Sequence, residues 1–449
     1  MGLSRIFDIS SRSLGVYQRA LDVTSHNVAN ANNPDYARQR VVFGSERSEG
    51  STNGEVGAGV KIDDISRIKD NLTDIQLRTY NQKFSDVDKR SQTLGQVESL
   101  FSEPSDLGLS NLITSFYNSW DQLASTPNST PLRNSVIQSA DQLSNKVKGI
   151  YDGLGLLRSD LNGQVNEKVD EVNSTIQQIQ DLNRQIKSAK VTNQSVNDLY
   201  DRRDKQIDSL SKLVNINVHT DDQGSVSISI GGIFAVDEYS ATKFKASNTN
   251  GKLSLTTNDG SSTAQLTGGE IYASMDLYNN QLAGYQDSIN AVAQNIMDSV
   301  NSVHRTGYGL NGSPQGDFFT GYSEGVLSFN HDTNAIAASA VSGNDGNSGN
   351  AIAIAKLADQ KLPALDGKTV SEYYNSFISS IGTEKKLNEQ SSESNQLVLD
   401  QLNNQKSSYS GVSIDEEMTN VIKFQKSYDA SAKLIKVADE MLQTLIQMV

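Results

Sequence analysis

Four groupings of residues in this 449-residue chain have types and spacings that could do chemistry. Gly321-Tyr322-Ser323-Glu324-Gly325 matches G-x-S-x-G, where a strand delivers a nucleophilic serine to a sharp turn and a helix leads away. Val326-Leu327-Ser328-Phe329 follows here and alternates like a strand, so the required helix is missing. Gly307-Tyr308-Gly309-Leu310-Asn311-Gly312 matches G-x-G-x-x-G, but it follows a helical stretch and opens none. A dinucleotide fingerprint runs strand then helix, so that the helix N-terminus meets the pyrophosphate. His26, His219, His304 and His331 are too dispersed for a zinc motif. Asp201, Asp204 and Asp208 lie beside Arg202, Arg203 and Lys205 on one helix, which reads as a solvated, ion-paired face and not as a metal site. No catalytic, cofactor-binding or metal-ligating residue is expected. The chain reads as a non-enzyme whose function lies in its surfaces.

Composition points the same way. The net charge of −14 is scattered along the chain, which argues against nucleic-acid and anionic-membrane partners, since both select basic patches. Hydrophobic residues make up 36%, with one Trp and six Pro, which suits long helices with thin cores. There is no Cys, so disulfides and thiol chemistry are excluded. The N-terminal residues lack the charged head and apolar run of a secretory signal peptide, and no apolar run is long enough to span a membrane.

The surface to look for is the stretch 411–449. Counting in sevens from Ile414 gives Val421, Tyr428, Ile435, Leu442 and Val449, all apolar. Such a repeat marks a helix that offers one seam to a partner. Phe424, Ala438 and Leu445 widen the seam, while Glu417 and Ser431 interrupt that second row. Ser413 with Glu416 can form a capping box. About 35 residues of helix would span roughly 50 Å and cannot cover their own seam. The natural partner is a first helix over residues 3–31, with Leu14, Tyr17, Leu21 and Val28 on one face, ending in the turn signals Asn30 to Pro34. Residues Leu14, Tyr17, Leu21, Val28, Ile414, Val421, Phe424, Tyr428, Ile435, Leu442 and Val449 are therefore the expected assembly contacts.

Between the ends, the chain divides into 1–66, an axial helix and extended linker around a Gly-rich loop from Gly50 to Gly59; 67–214, the first part of a helical rod; 215–269, an antiparallel β module; 270–350, a helix and irregular segment; 351–404, the return part of the rod; and 405–449, the C-terminal helix. Val165, Val169, Val172, Ile176 and Ile179 step 4-3-4-3, a coiled-coil spacing, and Leu182, Ile186 and Ala189 continue it. The fold class is mainly α with a β module. An elongated molecule is expected, with paired N- and C-terminal helices, a helical-bundle rod and a small inserted antiparallel β domain.

Four blocks carry a resemblance. Residues Ala20 to Asn32 resemble the N-terminal signature of bacterial flagellar axial proteins. Ile414 to Met418, Phe424 to Tyr428 and Ala438 to Leu442 resemble their C-terminal signature. Asn197 to Asp204 through Leu210 to Val214, and Val300 to Gly307 through Gly316 to Phe319, are similar to the FlgK, or hook-associated protein 1, branch of that family. Asp35 stands before Tyr36 where the family commonly has Gly, and the segment after Phe319 is short, which implies a reduced outer β domain.

The resemblance implies a structural component of the hook–filament junction, polymerising in a ring through its terminal coiled-coil helices. Its partners would be further copies of itself, the hook protein, the second hook-associated protein and an export chaperone on the C-terminal helix. The free protein would then have disordered ends. The location would be extracellular, on the flagellum, reached by the flagellar type III route. The second hook-associated junction protein is the alternative within the family. A secreted hydrolase using Ser323 and a helical adhesin are alternatives from other classes.

Overall fold

The computed structural model describes residues 2–46, 57–192, 194–221, 224–312 and 316–448. Val449 and most of the expected Gly-rich loop, residues 50–56, lie outside them. Contacts divide the chain into two compact units, one of residues 1–82, 173–242 and 395–449, the other of residues 83–172 and 243–394.

In the first unit α1 (Gly2–Ala29) leads through the asparagine turn to a hairpin of β1 (Gln39–Ser45) and β2 (Val60–Arg67). Asp70 then starts α2 (Asn71–Phe101), accepting from Leu72 N and Thr73 Oγ1 as an N-cap does. In the second unit α3 (Leu109–Ser125) buries Leu109, Leu112, Ile113, Phe116, Tyr117 and Trp120 at helical spacing along one face. The 62-residue α4 (Thr130–Val191) carries its proline in the first turn, where a missing N–H costs no helix bond. Its seam residues Val165, Val169, Val172, Ile176, Ile179 and Ile186 are all buried, and Leu182 is half-buried.

After α5 (Asn197–Leu213), the expected single β module over 215–269 is two separate sheets. β3 (Ile216–Thr220), β4 (Val226–Ile230) and β5 (Ile233–Val236) form one antiparallel sheet in the first unit, where Asn183 Nδ2 donates to Val226 O at 2.9 Å. β6 (Phe244–Thr249) and β7 (Lys252–Thr257) pair with each other in the second unit. Alternation shows which face a strand buries but not which strand it pairs with, and each sheet here takes the helix nearest to it as cover.

In the second unit α6 (Glu270–Asp276) passes through a π-turn at Leu277–Gln281 into α7 (Leu282–His304). The turn presents Asn279, whose side chain accepts from Leu253 N at 2.7 Å and donates to Leu253 O at 2.8 Å, docking β7 on the helix. Leu277, Leu282, Tyr285, Ile289, Val292, Ile296 and Val300 are buried, as their spacing predicts. The hairpin of β8 (Phe319–Ser323) and β9 (Val326–Phe329) and the short α8 (Gly349–Ala355) complete this core. Then α9 (Val370–Ser410) runs past the expected boundary between 404 and 405, because no breaker intervenes and Gln405 and Lys406 find partners near the start of α2. Only Gly411 to Ser413 separate it from α10 (Ile414–Gln447).

Candidate assembly surface

α1 and α10 pack side by side in antiparallel, since Asn27 meets the start of α10 at Glu417 while Ala20 and Val23 share a cluster with Phe424. Sequence spacing pairs the right helices but picks the wrong row. The buried residues of α10 are Glu417, Phe424, Ser431 and Ala438, the row that looked interrupted. Their counterparts on α1 include Ser10, Ala20, Thr24 and Asn27. Small side chains let the two helices approach closely, and of the polar ones Ser10 Oγ has no hydrogen-bond partner while others bond locally. Thr24 Oγ1 donates to Ala20 O, and Ser431 Oγ donates to Ser427 O, each inside its own helix.

Glu417, 2% exposed, is the exception that needs a partner from elsewhere. Arg38 supplies it, with Nε 2.7 Å and Nη2 2.6 Å from Glu417 Oε1, while Asn27 Nδ2 donates to Oε2 at 3.1 Å. Asn27 also accepts from Tyr36 OH at 2.7 Å and from Gln39 N at 3.0 Å. Burial first, then the carboxylates of Asp198, Asp201 and Glu417, push the Tyr36 hydroxyl up, so it stays a neutral donor. Arg38 Nη1 takes Glu416, which therefore does not turn back to complete the capping box, although Ser413 accepts from Glu416 N as expected. Arg38, Asn27, Tyr36 and Gln39 escaped the sequence reading. The available signal was a single acid, Glu417, standing in the seven-residue row of Phe424, Ser431 and Ala438.

The expected contact residues lie beside this seam. Leu14, Tyr17, Leu21 and Val28 are half-buried on α1, as are Val421, Tyr428 and Ile435 on α10. Ile414 and Leu442 are exposed, and Phe424 is buried within the chain against Phe43 and the α1 cluster. Leu14, Leu21 and Val28 follow the α1 seam positions Ser10, Tyr17 and Thr24 by four residues, as Val421, Tyr428, Ile435 and Leu442 follow the buried row of α10, whereas Tyr17 itself packs on Phe43 of β1. Helices running in opposite directions wind in opposite senses when viewed from one end, so the two rows emerge on one side of the pair. The β1–β2 hairpin lies on the other side, where Gly59 sits against Ile9 and Val41 against Val23.

The apolar side is almost free of charge. From α1 outward it comprises Ser4, Ser11, Gln18 and Ser25, then Phe7, Leu14, Leu21 and Val28. On α10 it continues with the row from Ile414 to Leu442, then Met418, Gln425, Ala432, Asp439 and Ile446, in which Asp439 is the one charge. Ile446 is 74% exposed and Leu445 51%. The arginines Arg12 and Arg19 and the lysines Lys426 and Lys433 point elsewhere on the two helices. A band of this composition is what a protein buries against another protein.

α5 ties the hairpin and the asparagine turn to the rest of the first unit. Asn197 donates to Gln39 Oε1 and to Ile65 O, and Asp201 accepts from Ala37 N and from Arg67. The expected solvated acidic face is a correction. Asp201, Asp204 and Asp208 are ion-paired, but largely buried, and with Arg67, Lys69 and Arg78 rather than with neighbours on their own helix. Those cations come from β2 and the start of α2, which the fold brings onto α5. Burial pushes the Asp204 carboxyl up, yet Lys69 and Arg67 outweigh it and hold the group down at about 2. Arg67 and Arg203 both stack on Tyr200, at 4.6 and 4.9 Å from its ring centre. Asp35, which stands in the usual glycine place, has no positive φ and pairs with Lys205 at 2.7 Å.

A family model described as the flagellar hook-associated protein FlgK helical domain matches residues 94–319, half of the chain. The chain belongs to the FlgK family of flagellar hook-associated proteins. A second model, the C-terminal region of flagellar basal body rod FlgEFG proteins, matches residues 404–448, which include α10. Flagellar hook-associated protein 1 of Bacillus subtilis (strain 168) is 28% identical, over 98% of this chain and 97% of that one. The Escherichia coli (strain K12) protein of the same name is 22% identical over 99% and 100%. The solved structure of the flagellar hook junction protein FlgK from Burkholderia pseudomallei shares the fold, with a TM-score of 0.67, 15% identity and coverage of 75% of this chain and 100% of that one.

In this FlgK-family chain the second internal block straps a loop to the end of α7. Asn301 Nδ2 donates to Phe319 O at 2.7 Å and its Oδ1 accepts from Phe319 N at 2.9 Å. His304 bridges Gly316 and Ala337, and Arg305 pairs with Asp317. The two tempting motifs do not form sites. Ser323 is exposed at the end of β8, and Glu324 and Gly325, both at positive φ, turn the chain directly into β9. Gly307 to Gly312 is a loop after α7 in which Tyr308 bridges Ser339. Among the described residues no cluster of His, Asp or Glu has metal-site geometry, and no helix is long and apolar enough to cross a membrane.

Proposed function

We propose that this chain is a structural component of the bacterial flagellum at the hook–filament junction, and that it polymerises through the α1–α10 pair. The observation that carries the second half is the band along one side of that pair in which Asp439 is the one charge. Two helices alone cannot cover it, and each large apolar side chain moved from water into a contact contributes about 1.5–3 kcal/mol. Further copies of this chain are the first occupants. Hook protein and the second hook-associated protein would meet the ends of the layer so formed.

On this reading the chain passes through the flagellar type III apparatus to an extracellular position. A chaperone covers the apolar row of α10 beforehand. The acting groups are apolar contacts and not an active site, so no catalytic turnover is expected.

Labelled antibody and electron microscopy of isolated flagella test the location. Signal confined to the base of the filament is the expected result, and signal along the filament or on the cell body would rule the junction out. Removing residues 411–449 tests the mechanism, and should leave the second unit folded in a chain that no longer joins hook to filament. Filament growth on the truncated protein would refute it.

A further inference from the structure

His304 is 2% exposed at the C-terminal end of α7, and both of its ring nitrogens are committed. Nδ1 is 2.7 Å from Gly316 O, which can only accept, so Nδ1 carries the proton. Nε2 lies 2.9 Å from Ala337 N, which can only donate, so Nε2 must be bare. The contacts thus admit one neutral tautomer and no imidazolium.

The surroundings offer a second positive charge only Asp317, which favours charge on the ring but is already paired. Asp317, the nearest carboxylate, is taken by Arg305, which Asp298 on the same helix also supports. From α4 the buried Arg133 donates to Thr333 O and Ile336 O, so the stretch that His304 holds already rests on one cation, with Asp345 acting on it only at a distance. Trp120 of α3 and Phe318 present ring edges and faces at 6.1 and 5.8 Å, and Asn350 of α8 donates to Ala337 O at 2.6 Å. None of these last three groups can take up charge.

We propose that His304 is an acid-sensitive clasp that joins Gly316 to Ala337 while neutral and lets residues 336–339 come away once it is protonated. A proton on Nε2 would face the Ala337 N–H directly and add a buried cation beside Arg133. Burial already holds the ring below its ordinary value of 6.5. The opened form therefore takes up the proton first, and opening grows as pH falls below 6.5 until the closed form is protonated too.

The chain carries its own reporter, because Trp120 is its one tryptophan and touches the imidazole ring. The experiment titrates the fluorescence of the full chain from pH 8 to 4.5 and follows hydrogen exchange, corrected for intrinsic rates, at pH 7.5 and 5. The expected result is a fluorescence change with its midpoint below pH 6.5. Exchange at residues 336–339 should be at least tenfold faster at the lower pH while α3 and α7 stay protected. Both changes should vanish in His304→Gln. Flat fluorescence and exchange in the unaltered chain would overturn the proposal, as would the same transition in His304→Gln or equal loss of protection across α3 and α7. If circular dichroism shows that His304→Gln does not fold, the unaltered chain decides. Local loss at 336–339 with the fluorescence change supports the clasp, and its absence overturns it.

Discussion

Arg38 and Glu417 stand 379 residues apart in the chain and meet at 2.6–2.7 Å, with the carboxylate buried between two helices. A buried ion pair contributes little over an apolar pair of the same shape, but breaking it strands a charge. Glu417→Ala should therefore destabilise the first unit by about 3 kcal/mol, the low end of the usual range, because Glu416 still holds Arg38. Glu417→Gln, which keeps the hydrogen bond to Asn27, should cost less. Urea unfolding of the purified monomer measures both, and an unchanged midpoint for Glu417→Ala would sink the argument.

Ile435→Asp tests the apolar band separately from the seam. Ile435 is half-buried in the monomer, so its own folding should change by less than ~1 kcal/mol. In an assembled layer the carboxylate would be buried without a partner, at a cost of several kcal/mol. Thermal melting should match the unaltered protein while junction formation, scored as filaments per hook by microscopy, falls to near zero. Normal filaments on Ile435→Asp would remove this row from the contact.

Asp204 makes the first unit sensitive to strong acid. Its folded value of about 2 lies below the ordinary 3.8, so it stabilises the fold above pH 3.8 and that contribution is lost as pH falls towards 2. The difference corresponds to about 2 kcal/mol. Asp204→Asn should lower neutral-pH stability by a similar amount and flatten the pH dependence between 4 and 2, read by denaturant titrations at each pH. Parallel pH profiles for the two proteins would contradict the assignment.

Neighbouring substitutions in the β8–β9 turn should diverge. Ser323→Ala should leave both stability and swimming unchanged, since the hydroxyl is exposed and serves no site. Gly325 has φ of +82°, and a methyl there would lie 2.5 Å from Tyr151 Cβ. Gly325→Ala should therefore cost about 2 kcal/mol or more from backbone strain and the clash. Melting curves and soft-agar motility read the two effects, and a swimming defect from Ser323→Ala would reopen the case for chemistry at that serine.

Much of this fold is legible wherever the pattern is local. The buried rows of α3, α4 and α7 and the stop at the asparagine turn follow from spacing and turn chemistry alone. The misses share a physical cause, which is partners that arrive from far along the chain. Glu417 looked like an interruption because nothing within its helix satisfies it, and Arg38 is invisible in a one-dimensional count. Asp201, Asp204 and Asp208 read as solvated until β2 and α2 bring their cations over them. The strands after α5 alternate clearly, yet alternation could not tell one sheet from two.

The apolar band is half α1 and half α10, and the contact that sets one against the other, Asn27 with Glu417, closes a loop of 390 residues. On the proposed assembly, a chain that lacks either helix would present only one strip of the band. Copies missing α1 or α10 would then be left out, so the surface proposed to build the layer would also check that each subunit is whole.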